Sequence, residues 1–311
     1  MLAATFPDLA AAEGHLDSVT YRARRIVYPA LVAAVPQGRP LAFALLGVNR
    51  TAVAIAAAAL STLAHARGAS RLVGIVIGVT PAFVASVLID LADGLALALV
   101  AWGYVAWCRL TPRSRALGLV LFTIAGLTRE TALVVPAALL LASFLPAGPE
   151  EPTIRRDRWL LLVPLLAGVA WVGVLELWIS GPGKTAAQFA LPFQGWLEVG
   201  FDTPQILAAL GLVMLSIWVA VRLWPTDDRA WAIVLAAEAV LLCCVGRGVL
   251  FDLLNLSRVT PWVVPWTAIV LLSARPEPVT IATSVHQVRG PVGASPRGTV
   301  LTETSTGPAN V

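Results

Sequence analysis

Long apolar stretches, broken at intervals by arginine, run through most of this sequence and leave it few ways to fold. A helix needs about 20 residues to cross the hydrocarbon core of a bilayer, with a range of roughly 17–25. Nine stretches are candidates for such spans: Leu41–Ala64, Leu72–Ile89, Leu95–Cys108, Ala116–Leu127, Thr131–Leu145, Trp159–Ile179, Ile206–Leu223, Ala230–Val245 and Pro261–Ser273. Several are short, notably Ala116–Leu127 and Pro261–Ser273, which fits helices that are broken, tilted or packed against a cavity. Composition agrees. Of 311 residues, 58% are hydrophobic and only 13% are charged, whereas a soluble domain carries about 25% charged residues. The expected fold is all-α, a polytopic transmembrane helical bundle of about nine membrane segments.

The arginines set the expected orientation. If the loop after Ala64 is cytoplasmic, the inside segments carry Arg67 and Arg71, then Arg109, Arg113 and Arg115, then Arg155, Arg156 and Arg158, then Arg222 and Arg229, and finally Arg275. The outside segments between spans carry Arg129, Lys184, Arg247 and Arg258. This distribution obeys the positive-inside rule at each crossing. It fits a multi-pass membrane protein, and the inner (plasma) membrane is the expected location. The net charge of +4 is almost all arginine, since Lys184 is the only lysine. Single arginines between apolar runs fit anionic lipid head groups rather than nucleic acid.

Three parts are expected. Residues 1–40 form an outer-face segment, with an interfacial helix over Ser18–Val35 that Asp17 or Ser18 caps and Pro29 interrupts. Residues 41–274 form the transmembrane domain. Residues 275–311, rich in Pro, Ser, Thr and Gly, form a disordered cytoplasmic tail. Within the domain, the loop Gly181–Pro204 is expected to be re-entrant or laid on the membrane. Arg22, Arg24, Arg25 and Arg39 fall on the outer side, against the positive-inside rule, and the expectation is a missing upstream span.

Polar residues near the outer ends of the runs are the chemical candidates. They are Asp17, Tyr21, Arg25 and Tyr28; Asp90 and Asp93; Arg129 and Glu130; and Asp252, Asn255 and Arg258. Charge in a lipid-embedded helix costs a few kcal/mol unless paired or wet. Together they read as one polar cavity; singly, each also reads as an interfacial loop charge. The Arg22, Arg24 and Arg25 cluster suits a phosphate, which a guanidinium fork binds bidentately, and equally suits lipid head groups. Asn49 and Arg50 sit inside the first run, and that face should point into protein or water.

Other motifs carry nothing. Gly183-Lys184-Thr185 resembles the end of a phosphate-binding loop, but Trp178 stands where the first glycine belongs. Cys108, Cys243 and Cys244, and His15, His65 and His286, have no metal-ligand spacing. No cofactor is expected, and metal dependence stays open.

The segment Leu16-Asp17-Ser18 followed by Tyr21-Arg22-Ala23-Arg24-Arg25-Ile26-Val27-Tyr28-Pro29 resembles a stretch of bacterial multi-spanning glycosyltransferases of the GT-C class. Three more stretches resemble that family in the same order: Asp90-Leu91-Ala92-Asp93-Gly94, Leu127-Thr128-Arg129-Glu130-Thr131-Ala132-Leu133, and Asn255-Leu256-Ser257-Arg258-Val259. The resemblance spans Asp17 to Ser273. It implies a mannosyltransferase-like enzyme that takes a sugar from a polyprenyl-phosphate donor at the outer face. On that basis Asp90, Asp93 and Glu130 are the acceptor-side or base candidates, and Arg25, Arg129 and Arg258 the donor-phosphate candidates. The family's usual acid in the first outer loop has no clear match; Asp8 and Asp17 are what remains there. The expectation therefore includes a truncated or inactive relative. A transporter of an amphiphilic anion and a non-catalytic membrane assembly subunit are the other readings.

Overall fold

The computed structural model describes residues 39–76, 92–109, 111–145, 157–178, 191–200, 203–226, 228–250 and 259–273, with isolated positions besides. Contacts group Met1–Ala274 into one compact unit and Arg275–Val311 into a second. The expected tail and all but Val27, Ala30 and Leu31 of the expected interfacial helix lie outside the described residues. Those three positions are helical.

The fold is all-α. Its helices are α1 (Arg39–Ala66), α2 (Asp93–Trp107), α3 (Pro112–Thr128), α4 (Val134–Ala142), α5 (Leu162–Trp178), α6 (Gln194–Val199), α7 (Pro204–Leu223), α8 (Arg229–Cys243), α9 (Arg247–Leu250) and α10 (Val263–Leu272). Short 3-10 turns cover Arg71–Gly74, Glu130–Leu133 and Arg158–Leu161. Two described helical segments are long and apolar enough to cross a membrane, Leu46–Ala66 and Pro204–Leu223. The stretch Asp93–Trp107 has 15 residues, which at 1.5 Å per residue is about 22 Å, short of the roughly 30 Å of hydrocarbon.

Local sequence explains where the helices begin and bend. Thr111 caps α3: its hydroxyl accepts from the Ser114 amide at 3.2 Å, and Pro112 follows at the first helical position. Pro204 likewise takes the first helical position of α7. The run expected over Thr131–Leu145 starts as a 3-10 turn before it becomes α4, because Arg129 is extended (φ −157°, ψ 122°) and separates it from α3.

Packing relies on small residues. A Cβ on Gly103 of α2 would meet the Phe122 ring at 2.9 Å, and one on Gly118 of α3 would meet the Gly103 carbonyl oxygen at 2.9 Å. Glycine at both positions lets the two backbones touch. The Trp102 indole N–H donates to the Ile55 carbonyl at 2.8 Å and ties α2 to α1. Outward positions carry large apolar side chains, including Leu166, Val169, Leu177, Leu207, Met214 and Val221, all exposed. A monomeric soluble protein rarely exposes so much.

The central core is aromatic. Trp231 is fully buried, with ring centroids 5.0 Å from Tyr104, 4.9 Å from Trp262 and 4.8 Å from Trp266. It joins α2, α8 and α10. The described part of the loop Gly181–Pro204 contains α6, which is pinned to the end of α8. Phe193 takes a left-handed conformation (φ 64°) and its amide donates to the Cys243 carbonyl at 2.7 Å. The Trp196 indole N–H donates to the Leu242 carbonyl at 3.1 Å.

Candidate functional site

Asp93 is the first residue of α2, where a carboxylate faces the positive end of the helix dipole. Arg129 ends α3 and precedes the 3-10 turn. Its amide still closes α3 through the Ala125 carbonyl at 2.8 Å. The Thr128 hydroxyl folds back onto the Ile124 carbonyl at 2.7 Å. The extended backbone at Arg129 then swings its side chain toward α2, and Arg129 and Asp93 form an ion pair. Asp93 is 0% exposed and Arg129 is 8% exposed. Buried charges of this kind persist only when paired.

Glu238 joins this pair. It lies inside α8, within an apolar run, and is 4% exposed. Its Oε1 accepts from the Trp262 amide at 3.4 Å, at the start of α10. Glu238 and Arg129 line one small cavity, together with Thr131, Leu97 and Trp262. Glu130 faces a different space. It lines a cavity of about 200 Å³ with Gly126, Leu133, Gly168 and Trp171, between α3 and α5. The site is therefore a buried acid–guanidinium pair with a second acid inside the bundle, and a third acid one residue along the turn.

Of the six residues singled out from the sequence, the fold brings Asp93 and Arg129 into contact and sets Glu130 beside them in sequence but on a separate cavity. Arg25, Asp90 and Arg258 lie outside the described residues, as do Asp17, Tyr21, Tyr28, Asp252 and Asn255. Asn49 is fully buried on α1, as a polar group inside an apolar run requires. Glu238 was missed. Its signal was available: a lone carboxylate in the middle of Ala230–Val245 is costly in lipid and marks a site by default.

A second polar network sits at the opposite end of α2. Arg67, just after α1, donates from Nε and Nη2 to the two carboxylate oxygens of Asp228, and from Nη1 to the Leu63 carbonyl at 2.9 Å. The Tyr104 hydroxyl donates to Asp228 at 3.2 Å, and the Arg67 guanidinium lies 4.8 Å over the Trp266 ring. Burial works to lower the Arg67 pKa, but the hydrogen bond and charge of Asp228 outweigh it and hold it above its ordinary value. Arg115 likewise pairs with Asp157.

No family model matches this chain, and no curated protein or solved structure matches it either.

Proposed function

We propose that this chain is a multi-pass inner-membrane glycosyltransferase of the GT-C kind, which moves a sugar from a polyprenyl-phosphate donor to an acceptor at the outer face. The observation that carries the reading is the buried Asp93–Arg129 pair, which joins two of the sequence stretches that resemble that family. About nine membrane segments belong to the same proposal. The pairings fit its orientation: Arg67 with Asp228 and Arg115 with Asp157 each join two inside segments, and Asp93 with Arg129 joins two outside ones.

In this reading a carboxylate near the outer face takes the proton of the acceptor hydroxyl as the new glycosidic bond forms. The sugar leaves its lipid phosphate, whose charge guanidinium groups hold. Glu130, less buried than Asp93 and lining the larger cavity, is the better placed base. Asp93 holds Arg129 in place. Membrane lipid and the polyprenyl-phosphate sugar are the expected partners.

A transfer assay with polyprenyl-phosphate hexoses tests this. Glu130→Gln should lower transfer by at least about 100-fold, the scale of a lost general base. Transfer at the wild-type rate by Glu130→Gln, or none by the wild type, removes the assignment.

Carriage of an amphiphilic anion is the second reading. Glu238 and Asn49 favour it, because both are polar and buried inside helices rather than at their ends. Saturable uptake of a lipid-phosphate analogue by proteoliposomes, without sugar transfer, would favour carriage. A non-catalytic assembly subunit would tolerate Asp93→Ala and Glu130→Ala in both assays.

A further inference from the structure

Glu238 is tied by only one of its two carboxylate oxygens. Oε1 accepts from the Trp262 amide, whereas Oε2 is buried and has no hydrogen-bond partner among the described residues. A buried carboxylate oxygen is an acceptor with several lone-pair positions, and leaving it unmet is unfavourable. The cavity that Glu238 lines measures about 20 Å³. One water needs roughly 10–15 Å³ of such space, together with two to four polar partners. Arg129, Thr131 and Glu238, which carry polar side chains, are among the residues that line it. The space admits a single oxygen and excludes anything the size of a sugar ring or a phosphate.

We infer that Glu238 and Arg129 bind one hydroxyl-sized guest, an O–H donor, in the cavity between α2, α8 and the turn after α3. That O–H donates a hydrogen bond to Glu238 Oε2, and the guest fills the acceptor position that the fold leaves unmet among the described residues. In the free protein the guest is an internal water, whose place a hydroxyl of a bound substrate reaching in from outside can take. The two share one chemistry and differ in source. The water-binding arm stands apart from the sugar-transfer reading, and the hydroxyl arm rests on it.

The placement has a consequence for the site. Glu238 lines the cavity with Arg129 and is tied to the start of α10 through Trp262, so an O–H held in that cavity would couple the Asp93–Arg129 pair to the last helix. That makes Glu238 a binding residue of the same site rather than a stray core acid.

Infrared difference spectroscopy of the full chain in lipid nanodiscs, in H2(16)O against H2(18)O, tests the inference. The wild type should show an isotope-sensitive O–H stretch from one internal water. Glu238→Gln keeps a weaker acceptor and should shift that band; Glu238→Met removes the acceptor and should abolish it. If Glu238→Met fails to fold, the shift in Glu238→Gln still decides. An absent band, or one unchanged in Glu238→Gln, overturns the inference. A methyl hexopyranoside then separates the sources. Loss of the band on its addition assigns the position to a substrate hydroxyl, and retention assigns it to a resident water; either upholds the site. Sugar transfer can fail in its own assay without touching this result.

Discussion

The two ends of α2 carry polar networks built from the same groups, and they differ in how completely those groups are satisfied. At the Tyr104 end, Asp228 receives both forks of Arg67 and the tyrosine hydroxyl, and its amide donates to the Thr226 hydroxyl at 3.1 Å. Arg67 spends its remaining donor on Leu63 and lies over Trp266. At the Asp93 end, two carboxylates face one guanidinium, a cavity adjoins them, and Glu238 Oε2 is unmet. The acid, guanidinium and hydroxyl groups of the first network are all engaged, which fixes structure, whereas an open acceptor beside a cavity has room for a guest. The first is a latch that binds the ends of α1, α2, α8 and α10. The second is the place to look for chemistry.

Charge reversal separates the two roles most sharply. Asp93→Arg or Arg129→Asp alone should cost about 3–5 kcal/mol, because each leaves like charges buried together. The double swap should recover most of that stability in thermal unfolding. Transfer, however, should stay at least about 100-fold below wild type, since the swap disturbs the turn that positions Glu130, the next residue. Recovery of both stability and transfer by the swap would make the Asp93 end a second latch and erase the contrast.

At the other end the expected outcome is confined to stability. Asp228→Ala leaves the Arg67 guanidinium without its partner and should cost roughly 3 kcal/mol. Any surviving folded protein should transfer at the wild-type rate per molecule. A fall in transfer per folded molecule comparable to that of Glu130→Gln would carry the function to this end too.

The contrast between the ends also marks what the sequence could reveal. Helices were legible, because apolar runs such as Pro204–Leu223 need internal hydrogen bonds whatever surrounds them. Asp93 and Arg129 were legible as polar residues at helix ends. Their contact was not, and neither was the pairing of Arg67 with Asp228, 161 positions apart. Such pairings depend on which helix neighbours which, and apolar runs of similar composition do not encode that order. Glu238 was overlooked although a lone carboxylate in so apolar a run carries a signal, and the fold turns that residue inward. The break at Arg129 was legible, because the polar Thr128-Arg129-Glu130 separates the runs Ala116–Leu127 and Thr131–Leu145; the turn of its side chain toward α2 was not.

The helix pair that holds the two ends at a fixed separation gives a smaller effect. Gly103→Leu would place a side chain where the Phe122 ring already lies 2.9 Å from a bare Cβ. Overpacking of this kind costs about 1–3 kcal/mol. Because α2 carries Asp93 at one end and Tyr104 at the other, the strain should loosen both networks together. A double-mutant cycle of Gly103→Leu with Asp228→Ala should therefore be non-additive by at least about 0.5 kcal/mol. Strict additivity would mean that α2 does not transmit the packing change to the latch.

The smallest expected effect isolates a single hydrogen bond of the latch. Tyr104→Phe removes the hydroxyl that donates to Asp228 at 3.2 Å and keeps the ring against Trp231. A hydrogen bond to a charged group contributes about 1.5–3 kcal/mol, but Asp228 retains both Arg67 contacts and is not left unpaired. The loss should therefore fall near about 1 kcal/mol, read as a small drop in unfolding temperature. In a protein already carrying Asp228→Ala, the same substitution should cost almost nothing, because its partner is gone. If Tyr104→Phe costs as much there as in the wild type, the tyrosine matters through its packing, and the latch reduces to the Arg67–Asp228 pair alone.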